Sequence, residues 1–126
     1  MAQPPRIVTP SDLDAVALAR LHELDPDGRH GVVYRVMTAF EGSLVRMMTQ
    51  LDAQRAPDGH ASVVSGVAHT LKSSSASVGA LQLSAACAAV ELALRERPEQ
   101  ELEPHIAQLM ACSEAALMSV RAMLQA

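Results

Sequence analysis

The stretch "AHTLKSSSASVGA", Ala68 to Ala80, holds the single lysine of the chain, Lys72, three places after His69. The other basic residues are all arginine. At about 100° per residue, Val64, Val67, Leu71, Ser74, Ser75 and Val78 fall on the side of a helix away from His69, with Ala68 at its edge. That apolar side predicts a core face for a helix over about 60–78, closed by Gly79 at C′. Within about 60° of His69 lie Ser62, Ser65, Gly66, Lys72, Ser73 and Ala76. All are small except the lysine. A solvent face with no further role usually carries long charged residues that pair at i,i+4, so the clearing around His69 asks for a cause.

Working outward, Pro and Gly divide the rest of the chain into further helices. Residues 1–10 read as a flexible Pro-rich tail, and residues 11–126 as one domain. Ser11 is the expected start of a short helix with Asp12 and Asp14 in its first turn and Leu13, Val16, Ala17, Leu21 and Leu24 on its apolar stripe. "DPDG", Asp25 to Gly28, stops it. Val33, Val36, Phe40, Leu44, Met47 and Leu51 mark a second helix over about 31–54, ended by "APDG". Leu83, Cys87, Val90 and Leu94 mark a fourth over about 80–97. The fifth begins between Pro98 and Pro104, either of which suits N1, with Ile106, Leu109, Ser113, Ala116, Val120 and Met123 inward. The last four helices are long and their loops short. The expected fold is therefore all-α: an antiparallel four-helix bundle with a short N-terminal capping helix.

Composition agrees. The chain has 126 residues, 49% hydrophobic and only 2% aromatic. Its core must be built from Ala, Leu, Val and Met, which favour helices over sheets. A net charge of −4 argues against nucleic acid as a partner. No apolar run approaches the roughly 20 residues that span a bilayer, and "MAQPPRIVTP" lacks the apolar centre of a signal peptide. Cys87 and Cys112 both sit in helical apolar patterns and read as free thiols. The expectation is a cytoplasmic protein.

An exposed imidazole can act as a nucleophile through one ring nitrogen when neutral and correctly oriented. If it takes up a phosphoryl group, a nearby cation offsets the added charge. Lys72 stands one turn away, and a flexible ammonium can follow the group as it arrives and leaves, where Arg tends to lock oxyanions in a bidentate fork.

With these residues in place, "HTLKSSSASVG" resembles the signature of histidine-containing phosphotransfer (HPt) domains, approximately H-x-L-K-G-S/A-S-x-x-L/V-G. The match is strong over about residues 67–97, and Ser73 departs from it, standing where the family has glycine. The resemblance implies a helical bundle that relays phosphoryl groups between aspartates of receiver domains. It makes His69 the phosphorylated residue, Lys72 its cationic neighbour and Gly79 the turn glycine. Glu91 matches a Gln or Glu that hydrogen-bonds the other ring nitrogen and orients the imidazole. Partner contact is expected at Ser65, Gly66, Ser73 and Ala76, and at Leu13 and Val16 of the short helix.

The partners implied are response-regulator receiver domains and a hybrid sensor histidine kinase, met as a monomer. The chain itself is expected to bind no cofactor, with Mg²⁺ supplied by the receiver. It shows no Gly-rich nucleotide loop, so it reads as a phosphoryl carrier and not a kinase. A helical adaptor that binds signalling partners without phosphorylation is the alternative. Metal binding is disfavoured, because no two of the five histidines lie three or four apart on one helix.

Overall fold

The computed structural model describes residues 13–125. The expected tail at 1–10 and the expected helix start at Ser11 lie outside them. Five helices follow in order: α1 (Ala15–Glu23), α2 (Val32–Ala53), α3 (Ala61–Ser77), α4 (Leu81–Glu96) and α5 (Glu103–Gln125). Among the described residues there is no strand. The long helices close a ring in which α2 packs on α3, α3 on α4, α4 on α5 and α5 back on α2, while α1 rests on α2.

Inside the ring, aliphatic side chains from all four long helices meet. Leu44 and Leu51 from α2, Val64 and Leu71 from α3, Leu83 and Val90 from α4, and Ile106, Leu109 and Val120 from α5 are all buried. Phe40 is the one aromatic ring among them. Met37 is buried although the α2 seam passes it over, because Val33, Val36 and Met47 lie at the margins of the core face, only partly buried. On α3, Ser75 is fully buried with its hydroxyl unpaired, whereas Ser74 is half-buried and donates to the Thr70 carbonyl. Both cysteines are free thiols. Burial pushes the Cys87 thiol up to about 12, so it is neutral and inert at physiological pH.

Two helix starts differ from expectation. Asp14 is the N-cap of α1 and not a first-turn residue: its carboxylate accepts the Ala17 N–H at 3.0 Å. α5 does begin between Pro98 and Pro104, but at Glu103, so that neither proline is the first residue and Pro104 stands second. Proline is tolerated there because the first four N–H groups of a helix have no intrahelical acceptor.

The start of α2 is unusual. Its N-cap, Gly31, has a φ of 61° and no side chain to offer. The buried carboxylate of Asp25 does the work from upstream, accepting the His30 N–H at 3.0 Å and the Val32 N–H at 3.2 Å. Burial pushes its carboxyl up, but the backbone donors of Val32 and His30 outweigh that and hold it below its ordinary value of 3.8. A carboxyl depressed in the native state stabilises the fold above its unfolded value and loses that contribution as pH falls through the native one. Asp25→Ala is therefore expected to lower Tm clearly at pH 7. Thermal melts should show the gap to wild type narrowing as pH is taken below 3.8.

Candidate functional site

The site is built where the middle of α3 crosses α4. On α3, His69 faces solvent with 71% of its side chain exposed, and Lys72 follows one turn later on the same face. From α4, Glu91 reaches across with 12% of its side chain exposed. Its Oε2 lies 2.7 Å from Nδ1 of His69, and its Oε1 lies 2.7 Å from Nζ of Lys72. One carboxylate thus ties both His69 and Lys72 of α3 to α4.

Seven residues before Glu91, on the same face of α4, the hydroxyl of Ser84 donates to the Lys72 carbonyl at 2.8 Å. This bond fixes how the two helices slide past each other, and so where Glu91 arrives. At the end of α3, Gly79 turns the chain with a φ of 85°. Its N–H bonds back to the Ala76 carbonyl, and that of Ala80 to Ser75, which is a Schellman closure.

The electrostatics decide the tautomer. Hydrogen bonds from Lys72 first and His69 second hold the Glu91 carboxyl below its ordinary range, against the opposing effect of burial. An ionised carboxylate can only accept, so Nδ1 of His69 carries the proton and donates it. The lone pair of the neutral ring is then on Nε2, which nothing engages among the described residues. The arrangement presents an oriented ring nitrogen at the surface, which in its neutral form can act as a nucleophile.

Around it, Gly66, Ser73 and Ala76 are exposed and Ser65 is half-buried, as the cleared face requires. Val16 is exposed on α1. Leu13 is not available for contact: it is 2% exposed and belongs to the core. It precedes α1 instead of lying on it, and the Asp14 N–H bonds the Gly79 carbonyl at 2.8 Å, which draws this segment down onto the α3–α4 turn.

Two features of the surface escaped the sequence reading. Leu81, Ala85, Ala88 and Leu92 are exposed on α4, the two leucines by 47% and 50%. They recur at i, i+4, i+7 and i+11, about opposite to the buried seam of Leu83, Cys87, Val90 and Leu94. The signal was present in the sequence, since α4 carries no charge before Glu91. An open groove also runs beside the site, lined by Ser62, Ser65, Glu91 and Arg95 among others, and brings a second cation to the face. Among the described residues no group of three or more His, Cys, Asp or Glu is placed to hold a metal ion. No helix there is long and apolar enough to cross a membrane.

No curated protein sequence shows significant similarity to this chain. In fold it is similar to the crystal structure of histidine-containing phosphotransfer protein B (HptB) from Pseudomonas aeruginosa PAO1, with a TM-score of 0.73 over 90% of this chain and 95% of that one, at 23% identity. The Hpt domain profile matches residues 35–126, most of the chain and every residue of the His69, Lys72 and Glu91 cluster. An oriented surface imidazole, a helical bundle and that match lead to one conclusion: this chain belongs to the Hpt domain family.

Proposed function

We propose that this chain is a monomeric, cytoplasmic carrier that takes a phosphoryl group from a phospho-aspartyl receiver domain onto Nε2 of His69 and passes it to another receiver. One observation carries the reading: a ring 71% exposed is gripped through Nδ1 at 2.7 Å by a carboxylate only 12% exposed. A histidine with no role beyond solvation has no reason to be fixed this way. The lone pair on Nε2 attacks phosphorus in line with the departing aspartyl oxygen, with Mg²⁺ held by the receiver. Lys72 is engaged with Glu91 at rest. Its four-carbon stem lets the ammonium swing toward the phosphoryl oxygens as negative charge arrives.

Labelled phospho-receiver mixed with the chain and Mg²⁺ tests this. Acid-labile, alkali-stable label on the small protein supports the carrier. No uptake from several receivers, with the fold intact, leaves the phosphorylation-independent adaptor.

The apolar stripe on α4 supports a docking surface wider than the α3 face alone. A receiver seated over α3 and α4 would cover Leu81 and Leu92 while presenting its aspartate to His69. Leu81→Glu with Leu92→Glu is expected to raise the KM for the phospho-receiver about tenfold or more, since apolar anchors dominate such contacts. The rate at saturation should hold, because neither leucine touches the ring. Steady-state transfer kinetics separate the two quantities.

A further inference from the structure

On the far side of the bundle from His69, α2 and α5 lie side by side and leave an open groove between them. The ring order puts it there, since the site spans α3 and α4 and the groove spans the other two helices. Its middle is apolar. Val45 is 39% exposed on α2, and Met48, Met110 and Leu117 are only partly buried. Thr49 adds no free polar group, because its hydroxyl donates to the Val45 carbonyl at 3.2 Å.

Charge enters only at the two ends. Arg55 meets Glu103 at 3.3 Å at one end and Arg121 meets Glu41 at 2.7 Å at the other, so α2 and α5 run antiparallel. Asp52 marks the first end and Arg121 the second. The helical rise from Glu41 to Asp52 separates them by about 16 Å, or about three turns. Each end group holds back part of its bonding capacity. Asp52 uses Oδ1 on Arg55 at 3.2 Å, and its Oδ2 has no partner among the described residues. Arg121 uses Nε on Glu41, and its two terminal nitrogens have none there.

We propose that this groove is a docking site for an amphipathic helix of another protein, lying antiparallel to α2 with its first turn at Asp52 and its last turn at Arg121. The charges at the ends argue for a helix and for that direction. A helix leaves N–H groups unpaired at its start and carbonyls unpaired at its end, with partial positive and negative charge to match. Oδ2 of Asp52 can accept from the first, and the Arg121 guanidinium can donate to the second. A helix of this length also presents apolar side chains at i, i+3 or i+4, and i+7 over about 10 Å, which suits the apolar middle. Met48 and Met110 favour such an occupant, because a thioether side chain adapts to the shape it meets.

Other modes of peptide binding fit less well. An extended peptide adds to a sheet edge, and the described residues contain no strand. A proline-rich segment docks on aromatic rings, and none lines this groove. Neither α3 nor α4 takes part, so the bound helix leaves the His69 face open. The groove is therefore a tether that does not compete with contacts on that face.

The probe is a synthetic helix of about 14 residues, long enough to cover the groove and both ends. It carries leucine at i, i+3, i+4 and i+7, uncharged polar residues elsewhere, blocked termini, a hydrocarbon staple on its outer face and a nitroxide at its N-terminus. Amide and methyl spectra of the full chain follow its titration to about 1 mM. Saturable shifts are expected at Val45, Met48, Met110 and Leu117, with His69 and Lys72 unmoved. The nitroxide should broaden signals at the Asp52 end and spare the Arg121 end. Val45→Glu, a change at a position already open to solvent, should weaken binding about tenfold or more, with a thermal melt to confirm its fold. Asp52→Asn with Arg121→Gln should remove the preference for direction, so that both ends broaden. Shifts confined to α4, no shifts at the highest concentration, broadening at the Arg121 end in wild type, or unchanged affinity in folded Val45→Glu would overturn the proposal. So would groove shifts that appear on concentrating the chain alone, which would assign the groove to a second copy.

Discussion

His69→Gln is expected to leave a folded protein that takes up no phosphoryl group. The loss should be complete within detection, because no other histidine shares the geometry. His22, His30 and His60 are exposed, and among the described residues no carboxylate pairs with their rings. His105 is half-buried, with Nε2 at 3.0 Å from the Gln100 side-chain oxygen, so its outward chemistry is already committed. The fold should be indifferent, since the His69 side chain is mostly solvent-exposed and its one hydrogen bond is to Glu91. Glu91 keeps Lys72 as a partner after the substitution. A surface change of this kind shifts Tm by about 2 °C or less. Labelled transfer and a thermal melt on the same preparation check both halves. Label persisting on His69→Gln would move the carrier residue elsewhere and remove the role assigned to the α3 face.

What could be read from residues alone, and what could not, follows a physical division. The interior of each helix was legible. Leu83, Cys87, Val90 and Leu94 are buried as their spacing requires, and the small residues about His69 do face solvent. Periodicity places a residue on a face of its own helix, and that is all it needs for such a reading. It gives no information on how one helix is rotated or slid against another. The double grip of Glu91 on His69 and Lys72, and the bond from Ser84 to the Lys72 carbonyl, are products of that relative placement. From the sequence Lys72 stood only as a neighbour of the ring, and the structure shows it already paired.

The segments between helices were legible least of all. Leu13 looked like one more residue of an amphipathic stripe, but it precedes the helix, and the next residue, Asp14, donates its N–H to the carbonyl of Gly79, far along the chain, which holds Leu13 against the core. Asp25 looked like part of a turn that stops α1. Its larger effect is to satisfy N–H groups at the start of α2, a role assigned by loop geometry and not by any local pattern. In both cases a polar backbone group finds its partner at a distance that only the assembled bundle determines.

Gly79→Val is expected to be the most damaging single substitution for stability, and the reason shows how α1 is held. At a φ of 85° an L side chain is strained by about 1–2 kcal/mol, more for a β-branched one. Space is short as well: a Cβ there would stand 2.7 Å from the Asp14 backbone nitrogen and 3.1 Å from its carbonyl oxygen, neither of which can swing aside like a flexible side chain. Relief requires moving the segment before α1, which breaks the 2.8 Å bond from the Asp14 N–H to the Gly79 carbonyl and pulls Leu13 from the core. Together these predict a loss of about 3 kcal/mol or more and a fall in Tm of about 10 °C. Gly79→Asn separates the causes, because asparagine tolerates the left-handed conformation but still brings a Cβ against Asp14. If strain dominates, Asn should recover most of the stability. If crowding dominates, Asn and Ala should be alike, and hydrogen exchange should quicken first at the Ala17 and Leu18 amides of α1, which bond to Asp14. In either case His69 lies nearly three turns of α3 away from Gly79. The folded fraction should therefore still accept phosphoryl groups, which makes this end of the bundle a determinant of stability and not of the chemistry.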